Sequence, residues 1–134
     1  MRIAPFCHQP KIALLALASL VLAFGSPVMA FEQCLKPQFG VSGIAIDRTA
    51  ETAALAQVEG IEEAARIGFR RILHRLLRAE PAVAAFMAEN EANAFVDFYH
   101  ISEENSLEGR YIAVLDYCFD APRLRAALRA AEYE

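Results

Sequence analysis

Apolar residues recur at steps of three and four through residues 50–79, which is the spacing of one helix face. Acidic residues occupy the first half of this segment and arginines the second half, a polarity that suits the helix dipole. The pattern predicts one long helix, with Asp47 or Thr49 available to cap its start. Gly60 and Gly68 lie inside this predicted helix, where glycine is unfavourable. Close packing of the helix against a sheet would explain both glycines. The apolar positions of the helix are Ala54, Val58, Ile61, Ala65, Phe69, Ile72 and Leu76.

Three other segments are rich in β-forming side chains and alternate in polarity, which is typical of strands. They are residues 39–46, 94–102 and 110–119. A shorter helix is predicted from Pro81 to about residue 89. A last helix is predicted after Asp120, because Pro122 would lie in its first turn.

The element order is therefore β-α-α-β-β-α, which indicates the α+β fold class. We expect a three-stranded, mainly antiparallel sheet with the long helix and the C-terminal helix packed on one face. The last two strands should form a hairpin, with residues 103–109 as its polar connection.

Residues 1–30 show the three parts of a secretory signal peptide. The first eleven residues carry two basic and no acidic side chains, an apolar run follows at residues 12–24, and Ala30 supplies a small residue for cleavage. The run is shorter than the ~20 residues of a membrane-spanning helix. The sequence predicts a signal peptide (1–30) and a single α+β domain (31–134), with an uncleaved N-terminal anchor as the alternative.

The charge balance of the predicted mature chain argues against nucleic acid as a partner. Residues 31–134 contain eleven basic and seventeen acidic residues, a net charge of −6, whereas nucleic-acid binding needs a basic surface. Arginine outnumbers lysine eleven to two in the whole chain, which is typical of a GC-rich bacterial genome. Export then means a periplasmic location, with membrane contact only through the signal peptide before cleavage.

Cys34 and Cys118 remain after the signal peptide and its Cys7 are removed. Disulfides persist in an oxidising compartment, and a first strand antiparallel to the third would bring both cysteines to one end of the sheet. The sequence therefore favours a Cys34–Cys118 disulfide, with two unpaired thiols or a metal site as alternatives. No CxxC or HxxxH spacing supports the metal site, and we expect no cofactor.

The hairpin face that carries Asp97 and Asp116 is the candidate docking surface. Charged side chains are rarely buried, so these two residues mark the face that points outward. By period-two alternation the same face is unusually apolar, and a large exposed apolar patch usually marks a binding site. The alternative is that the loop at residues 81–93 covers this face. The candidate partner-binding residues are Phe95, Tyr99, Ile101, Ile112 and Val114, with Cys118 on the same side.

Five arginines lie opposite the apolar stripe of the long helix. Their simplest interpretation is a solvated helix face, and the alternative is contact with anionic lipid headgroups or an acidic partner. His74 lies among them and is expected at the surface, whereas His100 is expected to be partly buried with a hydrogen-bond partner. The arginines are Arg66, Arg70, Arg71, Arg75 and Arg78.

The sequence does not favour an enzyme. Nucleophilic catalysis needs a serine or cysteine beside a base that a third group orients. Ser42, Ser102 and Ser106 lie in no nucleophile motif, and HExxH, P-loop and GxGxxG motifs are absent from the sequence. No catalytic or metal-ligating residue is therefore assigned.

Two segments resemble the bacterial exported family catalogued as domain of unknown function 2066. Residues 41–76, VSGIAIDRTAETAALAQVEGIEEAARIGFRRILHRL, are similar to the strand and Ala-rich helix of that family. Residues 109–128, GRYIAVLDYCFDAPRLRAAL, are similar to its strand ending in FD and the following helix. The resemblance implies an exported protein and brings no catalytic or ligand residue. Family members continue beyond the length of this chain, so it is expected to be a single-domain relative or a truncated form.

The sequence supports three functional hypotheses. The first is a non-enzymatic domain of the cell envelope that acts by protein–protein contact. The second is a periplasmic domain that binds a small molecule or lipid in a pocket between the long helix and the sheet. The third is a hydrolase. The partner and the oligomeric state are left open.

Overall fold

A computed structural model describes residues 34–133. Three strands and three helices follow one another as β1, α1, α2, β2, β3 and α3, and a short 3-10 turn precedes each of the first two strands. The bounds are β1 Gly40–Thr49, α1 Ala53–Leu77, α2 Glu80–Glu89, β2 Val96–Leu107, β3 Arg110–Phe119 and α3 Ala121–Ala130, with the turns at Pro37–Phe39 and Ala92–Phe95. The predicted element order is confirmed.

The three strands form one antiparallel sheet in the spatial order β1-β3-β2. The central strand β3 pairs along its length with both neighbours, from Gly40 opposite Cys118 to Thr49 opposite Arg110 on the β1 side. Because β1 lies antiparallel beside β3, the start of the first strand meets the end of the third. The predicted α+β class and sheet are confirmed.

Helix α1 lies on one face of the sheet and begins at a cap that the sequence pattern did not single out. The side chain of Thr52, rather than Asp47 or Thr49, accepts a hydrogen bond from the Leu55 amide at 3.1 Å. A Cβ on Gly60 would lie 2.6 Å from Cδ1 of Ile46, and one on Gly68 would lie 3.0 Å from Cδ1 of Ile44. The two glycines therefore let the helix backbone approach β1 closely, as predicted.

The β2–β3 hairpin is longer than the sequence pattern indicated. Residues 103–107 are strand rather than connection, and only Glu108 and Gly109 form the turn. Gly109 has a φ of +65°, a conformation that glycine adopts without steric cost. The polar side chains of this segment have a weak β propensity, so the sequence pattern did not indicate a strand here. Pairing with the central strand outweighs that weak propensity.

The hydrophobic core lies between the helices and one face of the sheet. Phe69 of α1 occupies its centre and contacts the rings of Phe86, Phe95 and Phe119 at centroid distances of 6.2, 5.2 and 5.7 Å. Helix α2 adds Val83 and Phe86 to this core, and α3 adds Leu124 and Leu128. All three helices therefore pack their apolar residues onto the same sheet face.

Two tyrosines of β3 are buried beneath α1 and differ in how their hydroxyls are satisfied. The Tyr117 hydroxyl donates to the carbonyl oxygen of Ile61 at 2.7 Å. The Tyr111 hydroxyl lies beside Gln57 and Glu104 but makes no hydrogen bond of ordinary geometry. Burial raises the pKa of Tyr111 to about 12 and also raises the pKa of Tyr117.

The predicted signal peptide, cleavage after Ala30 and the start of the mature domain lie outside the described residues. Between residues 34 and 133, no helix is both long enough and apolar enough to cross a membrane.

Candidate functional site

The sheet face opposite the helices, called the outer face here, has an apolar centre. Ile112 and Val114 of β3 are half-buried there, and Ala45 of β1 lies directly opposite Val114. None of the three belongs to the core or packs against it. They form a small apolar surface that spans the central strand β3 and its neighbour β1.

An ion pair borders this apolar centre at the hairpin end of the sheet. The Arg110 guanidinium donates to both oxygens of Asp47, at 2.8 and 2.5 Å, in a bidentate arrangement. The hydrogen bond from Arg110 lowers the pKa of the Asp47 carboxyl, and the carboxylate in turn raises the pKa of Arg110. Both side chains are about half exposed, so solvent screens the pair and its charges are available to a partner.

A second polar group borders the centre on the opposite side. Asp116 accepts a hydrogen bond from the Gly43 amide at 2.8 Å, where a bulge in β1 turns that N–H toward the outer face. The Nδ1 atom of His100 lies 3.8 Å from Oδ2 of Asp116. The Asp116 side chain is only 16 % exposed, whereas that of His100 is 52 % exposed. The carboxylate is therefore held in place, and the histidine is the accessible member.

The Cys34–Cys118 disulfide closes the far end of the outer face. The two sulfurs are bonded, the Cα atoms lie 5.6 Å apart, and Phe98 of β2 packs against the bridge. Both cysteines are 4 % exposed. The predicted disulfide is confirmed, and it fixes the start of the described chain against the central strand.

The side-chain placement predicted for the candidate docking surface agrees with the structure on β3 and is wrong on β2. Ile112 and Val114 lie on the outer face, but Tyr99 lies opposite Tyr117 and Ile101 opposite Leu115, on the helix side. Phe95 precedes the strand and is buried in the core. Two irregularities in β2, between Val96 and Phe98 and between Ile101 and Glu103, break the period-two alternation.

The structure assigns Phe98 and His100 to the outer face instead, because they lie opposite Cys118 and Asp116. Strict period-two alternation from Asp97 would place these two side chains on the helix side of the sheet. A bulge has no dependable local signal in this strand, so only the pairing with β3 reveals it. The partner-binding role of the outer face is a separate prediction that these positions do not test.

The alternative that residues 81–93 cover the outer face is wrong. Helix α2 packs against α1 and contributes to the core on the opposite side of the sheet. The apolar side of this segment therefore faces the core. No helix of the described chain covers the outer face.

A polar cleft of about 560 Å³ opens elsewhere, between α1, the end of β1 and the segment after α2. Arg48 forms an ion pair across it with Glu59 at 2.8 Å, and Glu63 lies at 3.7 Å. This is not the apolar pocket between helix and sheet that a small-molecule or lipid site would need. From residue 34 to 133, no group of three or more His, Cys, Asp or Glu side chains is placed to hold a metal ion.

The five arginines, four in α1 and Arg78 at its C-cap, are all exposed, as the solvated-face interpretation predicts, although two of them make defined contacts. Arg70 pairs with Glu80, and the Nε2 atom of His74 lies 2.7 Å from Oε2 of the same carboxylate. Arg75 donates to the carbonyl oxygen of Gly40 at 2.7 Å and so holds the start of β1. Arg66, Arg71 and Arg78 are exposed.

The surroundings of His100 differ from those of a catalytic histidine. The hydroxyl of Ser102 donates to the carbonyl oxygen of Val114 at 3.1 Å rather than to an imidazole. With Ser102 bonded to the backbone and 3.8 Å between Nδ1 of His100 and Oδ2 of Asp116, these residues fall short of the hydrogen-bonded triad that acyl transfer requires.

Comparisons of the chain with known protein families, with curated proteins and with solved structures found no match. The geometry of the outer face is therefore the basis for a functional proposal.

Proposed function

We propose that this protein is an exported, periplasmic bacterial domain that acts in the cell envelope by contact with another protein, without catalysis, and that the outer face is its contact surface. The observation that carries the proposal is the apolar centre of Ile112, Val114 and Ala45 on a sheet face over which no described helix packs. The predicted signal peptide and the resemblance to domain of unknown function 2066 support the exported location.

The arrangement of the outer face suits a protein partner. Protein interfaces combine an apolar centre with a polar, solvent-accessible rim. Here the rim consists of the Asp47–Arg110 pair on one side and the Asp116–His100 pair on the other. Both signs of charge are present, so a partner with matching opposite charges would gain orientation from the rim and burial energy from the centre.

The hypothesis of a pocket between helix and sheet has weaker support. Gly60 and Gly68 bring α1 so close to β1 that even one added carbon would contact Ile46 or Ile44. That interface is filled by buried side chains, and a small molecule would have to displace them.

The test is crosslinking in the periplasm followed by pulldown of the tagged protein. Ile112→Lys/Val114→Lys places two cations at the apolar centre, where a partner would have to desolvate them. We expect the crosslinked product of the wild type to disappear in this double variant.

The matched control is Leu55→Lys/Val58→Lys, which adds the same two charges at exposed positions of α1, 42 % and 55 % accessible. It should keep the crosslinked product. A product of twice the chain mass would identify the occupant as a second copy. The proposal fails if the wild type yields no product, or if both double variants lose it equally while remaining folded.

A further inference from the structure

One end of the molecule collects basic side chains from three separate elements, around Phe39. Arg75 of α1 donates to the carbonyl oxygens of Gln38 and Gly40 on either side of this ring. The guanidinium of Arg125 in α3 lies 5.2 Å from the ring centroid. Lys36 directly precedes the turn Pro37–Phe39. We call this end the basic end, and include in it Arg71 of α1 and Arg78, the C-cap of α1. Its cations are Lys36, Arg71, Arg75, Arg78 and Arg125.

The other cations of the basic end follow from helix geometry. Arg71 lies one turn before Arg75, so these two share one side of α1, and Arg78 follows as the left-handed residue that caps the C-terminus of the helix. Arg71 and Arg78 are exposed. The charge of this side of the helix therefore faces solvent.

Two acidic residues near this end, Glu80 and Asp120, have basic partners. Glu80 is shared by Arg70 and His74, and Asp120 caps α3 and lies 3.6 Å from Arg123. The acidic residues of α1 belong to its first half, at the opposite end of the helix. The domain has a net negative charge, but its charges are separated along α1, with acidic residues in the first half of the helix and arginines in the second half.

An exposed apolar side chain accompanies these cations. Leu35 is 98 % exposed, the highest value among the large apolar residues described. It cannot move freely away, because the preceding Cys34 is bonded to Cys118 and Pro37 begins a 3-10 turn. The fold therefore holds a leucine in solvent next to Lys36 and three residues before Gln38, whose carbonyl binds Arg75.

We infer that the basic end binds the surface of an anionic phospholipid bilayer, with Leu35 inserted among the headgroups. Cations near such a surface attract it, and an adjacent apolar side chain adds binding that salt does not screen. This interaction is independent of the outer face and would place the domain with a fixed orientation on a membrane.

A bilayer fits these residues better than an acidic protein does. A protein partner offers carboxylates at fixed positions, which favours arginines held in defined geometry. Arg71 and Arg78 are exposed side chains at the end of a helix, and among residues 34–133 Leu35 projects by itself rather than as part of an apolar patch. Mobile headgroups can adapt to such a scattered set.

The test is co-sedimentation of the protein, purified from the periplasm, with vesicles of phosphatidylcholine alone or mixed with phosphatidylglycerol. We expect binding only to the mixed vesicles, and a large loss of binding at 1 M salt, where the screening length falls to about 3 Å. Arg71→Glu should weaken binding at least fivefold, since one cation near the surface contributes about this factor. Leu35→Ser should weaken it roughly tenfold at any salt concentration.

Arg66→Glu is the matched control, because Arg66 is an exposed arginine of the same helix that lines the polar cleft rather than the basic end. It changes the net charge equally and should leave binding within twofold of the wild type. Equal losses in Arg66→Glu and Arg71→Glu would overturn the inference, as would absent binding to the mixed vesicles. Thermal melts of each variant establish that it is folded.

Discussion

At the scale of single residues, the two buried tyrosines of β3 show how one hydroxyl can stabilise the fold while a similar one does not. The Tyr117 hydroxyl reaches a backbone carbonyl of α1, whereas the Tyr111 hydroxyl is buried without a partner of ordinary geometry. A made hydrogen bond contributes about 1 kcal/mol, and an unmade one in the interior costs a similar amount.

Tyr117→Phe should therefore lower the free energy of unfolding by about 1 kcal/mol, and Tyr111→Phe should leave it unchanged or raise it. Urea denaturation at pH 7 measures both values, and each variant serves as the control for the other. An equal loss in the two variants would show that the hydroxyls are equivalent.

The same tyrosines predict a loss of stability in alkaline solution. Burial raises the pKa of Tyr111 to about 12 and raises the pKa of Tyr117 in the same direction. The ordinary value in an unfolded chain is near 10. Because the folded-state values are higher, stability is complete below pH 10 and is lost as the pH rises from 10 through 12.

Urea denaturation at pH 8 and pH 11 should show this decrease, and the decrease should be smaller in Tyr111→Phe than in the wild type. An identical pH dependence in the two proteins would mean that Tyr111 does not contribute to it.

At the scale of elements, two glycines with positive φ have different surroundings. Gly43 (φ +68°) forms the β1 bulge and has open space where a Cβ would lie. Gly109 (φ +65°) forms the hairpin turn, and its Cβ would lie 2.8 Å from the carbonyl oxygen of Ala50. The positive φ disfavours a side chain at both positions. At Gly109 alone of the two, the added Cβ would also collide with a backbone oxygen.

Gly43→Ala should therefore cost about 1 kcal/mol, the strain of a left-handed residue with a side chain. Gly109→Ala should cost clearly more, because it must also move the segment that leads into α1. Comparison of the two free energies of unfolding is the measurement, and a larger loss for Gly43→Ala would contradict the assignment.

The sequence pattern specified some elements better than others for physical reasons. Strand β3 was predicted with its observed bounds, 110–119, because a central strand buried on one side shows clean alternation. Strand β2 is at the edge, with an exposed polar half, and its two irregularities change which residues face outward. The predicted orientation of the candidate residues agrees with the structure only on β3, since the outer residues of β2 depend on pairing and not on local sequence.

At the scale of the whole molecule, the disulfide joins residues 84 positions apart. In the chain-entropy model such a loop contributes about 4 kcal/mol, because the bridge restricts the unfolded chain. Cys34→Ser/Cys118→Ser should lose about this amount of stability. Addition of reductant to the wild type should produce the same loss, and no further loss in the double variant, when measured by urea denaturation.

The position of β3 in the centre of the sheet has a consequence for the order of events during synthesis. The strand with which both neighbours pair is the last of the three strands to be synthesised. Thr49 therefore has no pairing partner until Arg110 has emerged, and Gly40 has none until Cys118 has emerged. At roughly 5–20 residues per second, β1 is without its partner for several seconds. The helices can form as the chain emerges, but the sheet closes only after residues 110–119 have been synthesised. Formation of the sheet is thereby delayed until β3 has emerged, a timing that would suit the proposed passage of an unfolded chain across a membrane.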